Sequence, residues 1–127
     1  MKPPSQQPAI RVTMMPKDTN AVGSIFGGVI LSLIDQAAFV EASRQAPRKF
    51  VTVAMDKIEF HKPVQMGDIV SLWAETIRIG RSSITLRVDV LARSRYSDEE
   101  VRVTSAEVTM VSIDDSGNPT PIFAGSQ

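Results

Sequence analysis

Asp35 is the residue whose surroundings ask most for an explanation. If the segment around it is helical, the neighbours on its face are Gly28, Leu31, Ser32, Ala38, Phe39 and Ala42, all small or apolar, with no cation within a turn. Burying an unpaired carboxylate is costly, and groups held that way are common among general bases and nucleophiles. The alternatives are a helix face open to water, or a donor reaching Asp35 from a distant element. A second feature lies in GSIFGG, where Gly27 and Gly28 follow the N-cap candidate Ser24. Free backbone N–H groups at the positive end of a helix, with no Cβ in front of them, can stabilise an oxyanion. The other reading of the two glycines is close helix-to-sheet packing, against a cost of about 1 kcal/mol each relative to alanine. Asn20, in the preceding loop, has an amide able to orient a carbonyl or a water, and is equally suited to holding a turn. Gly80, Arg81, Ser82 and Ser83 place a guanidinium and two hydroxyls on a candidate hairpin, a set able to hold a phosphate. His61 has no serine or cysteine motif beside it and reads as a surface or turn residue.

Composition narrows the chemistry further. With no cysteine, disulfides, thiolate nucleophiles and thiolate metal sites drop out together, and an intracellular setting is expected. A single histidine leaves no histidine cluster, so no metal is expected. Fourteen basic residues against fourteen acidic ones give no field that would attract nucleic acid. The opening MKPPSQQPAIRV has no signal-peptide apolar run, and no stretch approaches the ~20 apolar residues of a membrane span. A soluble, cytoplasmic protein with no membrane partner is expected.

The elements that must position these residues follow from periodicity. From Ile25 to about Ser43, apolar residues recur at three and four, which predicts a helix capped by Ser24 and stopped by Pro47. With Asp35 and Glu41 as its only charges, this helix should be enclosed by the rest of the domain. Strands are predicted at Ile10–Met14, Phe50–Phe60, Asp68–Ile79, Ser82–Arg95 and Val101–Ile113; the fourth alternates Ile84, Leu86, Val88, Val90 and Ala92 with polar residues. Gly80-Arg81 fits a two-residue hairpin with glycine at the first turn position. The result is one α+β domain over residues 9–115, a curled antiparallel sheet around one helix, with a flexible arm at 1–8 and a loose tail at 116–127. One helix covers one sheet face, yet the strand from Asp68 is apolar on both, with Trp73, Ile77 and Ile79 opposite Val70, Leu72 and Ala74. Self-association is the expected remedy.

In order, MPKDTNAVGSIFGGVILSLID, VTVAMDKIEFHKPVQMGDIV, IGRSSITLRVDV and TSAEVTMVSID resemble the hotdog-fold acyl-CoA thioesterases, in particular the bacterial short- and medium-chain acyl-CoA hydrolases related to mammalian cytosolic enzymes. The likeness runs from about Val12 to Ile122. It implies hydrolysis of acyl-CoA to a fatty acid and free coenzyme A, with no cofactor beyond the coenzyme A of the substrate. It also implies that Asp35 is catalytic as base or nucleophile, that Asn20 assists, and that Gly27 and Gly28 polarise the thioester carbonyl. Gly80, Arg81, Ser82 and Ser83 become coenzyme A contacts, with Lys62 and Arg87 as weaker phosphate contacts. Ser24 departs from the Asp, Asn or His that relatives often carry there.

At ~1.5 Å per residue, Asp35 and the helix start are too far apart for one carbonyl to touch both. A twofold dimer with sites shared between subunits is therefore expected, assembled into a tetramer or hexamer. Two rivals remain in view. A hydroxyacyl thioester dehydratase would need a histidine near the helix start, where this chain has none. A non-catalytic acyl-CoA-binding or sensor module would keep the pocket without needing Asp35.

Overall fold

The computed structural model describes residues 1–123. Its sheet is organised about β4 (Ser83–Arg93), where Ile84, Leu86, Val88, Val90 and Ala92 recur at every second residue and all are buried. β3 (Ile69–Ile79) and β5 (Val101–Ile113) flank it, β1 (Ile10–Thr13) lies outside β3, and β2 (Lys49–Phe60) lies outside β5. The order is β1-β3-β4-β5-β2 and every pairing is antiparallel. The expected strands thus form, with ends displaced by no more than two residues. A short 3₁₀ turn at Pro16–Asp18, not foreseen, follows β1. Among the described residues no helix is long and apolar enough to cross a membrane.

The helix α1 (Gly27–Gln45) packs chiefly across β3 and β4. It starts two residues later than periodicity suggested, and Ser24 is not its cap. The Ile25 N–H donates to the Val64 carbonyl at 2.9 Å and Ser24 pairs with Gln65, which holds both residues extended and makes Phe26 the N-cap. At the other end Ala46 is extended ahead of Pro47, as the proline requires.

The helix is also not enclosed. Ile30, Ile34, Ala37, Ala38 and Ala42 are buried against the sheet, but Phe39 is 46% and Val40 43% exposed on the far side. Five strands cover one side of one helix, and nothing among the described residues covers Phe39 and Val40 on the other.

Three further expectations change. The β3–β4 turn closes with the Gly80 N–H on the Ser83 carbonyl at 2.8 Å, so its two central residues are Arg81 and Ser82 rather than Gly80 and Arg81. Gly80 lies outside the left-handed region; its use is the close approach of Ser83 Oγ, 2.9 Å from where a Cβ would stand. The tail is not loose through Phe123. Thr120 and Ile122 donate to the Ser112 and Arg81 carbonyls at 2.8 Å each, and the Ile122 side chain is fully buried. Residues 124–127 of that expected tail lie outside the described residues. The arm is held as well: the Lys2 N–H donates to Gln45 Oε1 at 2.7 Å, and Arg44 Nη2 donates to the Pro3 carbonyl at 2.8 Å.

Candidate active site

The start of α1 is fixed from two sides. Phe26, the N-cap, donates its N–H to the Asp18 carbonyl at 3.0 Å, while Ile25 is tied to Val64. Asp18 is itself buried, with its carboxylate accepting from the Met15 N–H and from Lys17 Nζ at 2.9 Å each. The Met15 N–H, then the Lys17 ammonium, hold this carboxyl below the usual aspartate range, against the opposing effect of burial. Between Asp18 and Phe26 the chain makes a tight loop closed by a Thr19–Ile25 bridge. Asn20 organises it: its Oδ1 accepts the N–H groups of Val22 (2.9 Å) and Ser24 (3.2 Å), and its Nδ2 donates to Ser24 Oγ at 3.1 Å. Asn20 is therefore a turn-holding residue in the protomer, with one amide hydrogen left over.

Gly27 and Gly28 are the first two residues of α1, and their N–H groups meet no acceptor among the described residues. Nothing lies within 4 Å of a Cβ built on Gly28, whereas one on Gly27 would stand 3.4 Å from Phe60 Cζ. Gly27 borders a cleft of about 230 Å³ whose walls include Ile25, Ile30, Phe60 and Val64, with His61 and Lys62 at its side. His61 is exposed, as expected, and its Nε2 lies 3.5 Å from Ser105 Oγ. On the other side, Gly28 borders a groove of about 520 Å³ between α1 and the β1–3₁₀ segment.

Asp35 projects from the middle of the helix and is half-buried, and it does have a partner: Thr52 Oγ1 donates to its Oδ1 at 2.5 Å. Of the alternatives weighed for Asp35, the donor from a distant element is the one present: it comes from β2, seventeen residues on. That strand is an edge of the sheet, so the Asp35 carboxylate sits beside an open border of the protomer.

The buried carboxylate of the helix is Glu41, 2% exposed, which the sequence reading passed over. It accepts from Arg44 (2.7 and 3.0 Å), Gln45 (3.0 Å) and Thr76 Oγ1 (2.8 Å). Burial, the largest influence, pushes its carboxyl up; the bonds from Arg44, Gln45 and Thr76 outweigh it and hold the group below the usual glutamate range. Glu41 therefore serves to fasten the helix end to β3 and the arm. Its i,i+3 arginine was the available signal.

The coenzyme A candidates do not gather in one protomer. The Arg81–Ser82 turn lies at one end of β4, and the Arg81 side chain is exposed with no acidic partner among the described residues. Lys62 lies at the other end beside the Gly27 cleft, roughly 30 Å away along nine strand residues. Arg87 sits midway and is paired with Asp89 at 3.4 Å. Within the protomer, Asp35 is also about 12 Å from Gly27 along the helix.

The Thioesterase superfamily model matches residues 22–97 of this chain. An uncharacterized acyl-CoA thioester hydrolase of Zymomonas mobilis is 43% identical over 119 residues, covering 94% of this chain and 80% of that protein. A hexameric broad-specificity acyl-coenzyme A thioesterase, crystallised as an aspartate-to-alanine mutant, superposes with a TM-score of 0.88 at 35% identity, covering 94% of this chain and 88% of that one. A hexameric hotdog fold thioesterase of Campylobacter jejuni gives 0.86 at 41% identity, covering 92% and 90%.

Proposed function

The chain belongs to the Thioesterase superfamily, and from that membership we propose that it hydrolyses acyl-CoA to a carboxylic acid and free coenzyme A. The observation that carries this reading is the pair of unpartnered N–H groups at Gly27 and Gly28, the first of them beside a largely apolar cleft. Donors fixed in place before the reaction are suited to a carbonyl oxygen that gains negative charge. The thioester carbon is attacked either by water, whose proton the Asp35 carboxylate takes, or by that carboxylate directly, giving a mixed anhydride that water then opens. In both routes the C–S bond breaks and coenzyme A leaves as the thiolate. Asn20 positions the carbonyl or the water with its remaining amide hydrogen. The chemistry uses side chains and backbone amides only, and a cytoplasmic setting is part of the same proposal. That a relative was studied with an aspartate removed supports giving this residue type the central part.

Asp35 and the Gly27 amides act together across a dimer. β2 is a twelve-residue edge strand with Val51, Val53, Ile58 and Phe60 exposed, Val53 by 58%, and Phe39 and Val40 of α1 are exposed too. An unpaired apolar edge of this length invites pairing with another chain. A second copy across a twofold at β2 would run its helix antiparallel to the first. Each Asp35 would then face the partner's helix start. The same operation carries the partner's Arg81 turn to the end of the sheet where Gly27 and Lys62 lie. Arg81, Ser82 and Ser83 there meet the coenzyme A phosphates, with Lys62 and Arg87 contributing charge.

The test is release of free thiol from a panel of acyl-CoA esters of graded chain length. A chain without cysteine adds no background to a thiol reagent. Turnover by the wild type, with a loss of about 10²–10⁴-fold in Asp35→Asn at unchanged oligomeric state, is expected. Binding of acyl-CoA without turnover would overturn the hydrolase reading in favour of a binding module.

A further inference from the structure

Thr104 carries the one buried side-chain polar atom without a hydrogen-bond partner among the described residues, its Oγ1. The residue is 1% exposed on the inward row of β5, where Ala106, Val108 and Met110 are its neighbours, and it borders the 230 Å³ cleft that Gly27 also borders. Its backbone is in register with Phe60 on one side and Val90 on the other, so strand pairing does not call for a hydroxyl. Ser112, the other hydroxyl on that row, is paired with Thr120 at 3.0 Å. Valine has the same shape as threonine and would leave no orphan in such a place. An unmade hydrogen bond on a buried hydroxyl is destabilising.

We infer that Thr104 is a specificity-determining residue, reading an oxygen atom carried by the acyl chain. The inference rests on the proposed thioesterase activity and names a substrate class for it. With the thioester oxygen on the Gly27 amide, the acyl chain enters the cleft between Ile25, Ile30, Phe60 and Val64. Those walls are apolar and suit its carbons. Thr104 Oγ1 then meets the chain beyond the carbonyl. A hydroxyl donates and accepts, so it pairs with either a hydroxyl or a keto oxygen. A plain alkyl chain leaves the orphan unpaired. Short acyl-CoA esters bearing such an oxygen are accordingly preferred over alkyl esters of the same shape.

The experiment compares kcat/KM for 3-hydroxybutyryl-CoA and isovaleryl-CoA, which differ by a hydroxyl in place of a methyl. The wild type should favour the hydroxy ester by about tenfold, the worth of one neutral hydrogen bond in a dry site. Thr104→Val should remove the preference, lowering kcat/KM for the hydroxy ester far more than for isovaleryl-CoA, and Thr104→Ser should retain it. Thr104→Ala substitutes for the valine variant if that one does not fold. Equal wild-type rates on the two esters, or a ratio unchanged by the substitution, overturns the assignment. A parallel loss on both substrates would do so too, placing Thr104 at the reacting centre instead. Wild-type protein inactive on every ester would instead sink the thioesterase reading itself.

Discussion

Gly28→Ala separates what the helix-start glycines do for the fold from what they do for the reaction. Gly28 is the second residue of α1, is exposed, and lies outside the left-handed region, so alanine fits its backbone. A Cβ there meets nothing within 4 Å. Replacing glycine by alanine at a compatible helical position stabilises by about 0.5–1 kcal/mol, chiefly by restricting the unfolded chain. For a domain of this size that raises Tm by roughly 2–5 °C. The same methyl adds bulk beside the Gly28 N–H, the second of the two amides proposed to hold the thioester oxygen. Displacing that oxygen by an ångström can cost on the order of 10²-fold, so kcat/KM should fall by about that much. Gly27→Ala should lose activity similarly but gain less stability, because its Cβ comes within 3.4 Å of the Phe60 ring. Thermal melts at matched protein concentration and steady-state kinetics supply the two readouts. A Gly28→Ala protein that is more stable and fully active would refute the assignment of that amide.

Arg81→Ala should raise KM by about 10–100-fold with little change in kcat, because a phosphate contact is made equally in ground and transition states. An acyl-pantetheine lacking the nucleotide is the control, and should be hydrolysed alike by both proteins. Glu41→Gln should cost about 1–2 kcal/mol at neutral pH, part of it screened at the half-exposed end of Arg44. Because the Glu41 carboxyl is held below the ordinary glutamate value, its contribution is complete above that value and is lost as the pH falls through the lower folded one. The gap in Tm between wild type and variant should therefore narrow from pH 5 toward pH 3; a constant gap would show that the charge is not what Glu41 supplies. Mixed oligomers of Asn20→Ala and Asp35→Ala protomers should recover about a quarter of the wild-type rate, since half of randomly formed dimers are mixed and each holds one intact site. Inactive mixtures in which pull-down proves exchange would leave the shared site without support.

Strand positions were legible because alternation is a local property: the β4 pattern and its burial coincide at every position except Thr85, which is buried although it lies on the polar row. What escaped depended on partners distant in sequence. Ser24 has the chemistry of an N-cap, but Gln65 and Val64 draw its segment into an extended path. The donor to Asp35 was left open because Thr52 lies on another element, and Glu41 was read only as a charge although it is the buried acid of the helix. Thr104 sits in an alternating strand where a threonine looks ordinary, and only the missing partner sets it apart. The tail has the composition of a mobile segment up to Ile122, which fills a gap in the core and fastens the rest.

The scatter of the candidate site over one protomer bears on the number of copies needed. Gly27 and Lys62 stand at one end of the sheet and the Arg81 turn at the other, with Asp35 between them on the side of the open β2 edge. No rearrangement internal to the chain brings these groups together, because β4 and β5 are paired over nearly their whole length and fix the two ends roughly 30 Å apart. An antiparallel twofold along β2 exchanges the ends. It places a helix start, a partner's carboxylate and a partner's basic turn along one border, which suits a ligand with a thioester at one end and a charged nucleotide at the other. The same operation covers Phe39, Val40, Val51 and Val53, side chains that the sheet of one chain leaves in water. In the proposed dimer the exposed apolar surface and the groups that association would bring together lie on the same edge, so a substitution that keeps the protomer apart, such as Val53→Lys, should remove turnover without touching any residue proposed for the reaction.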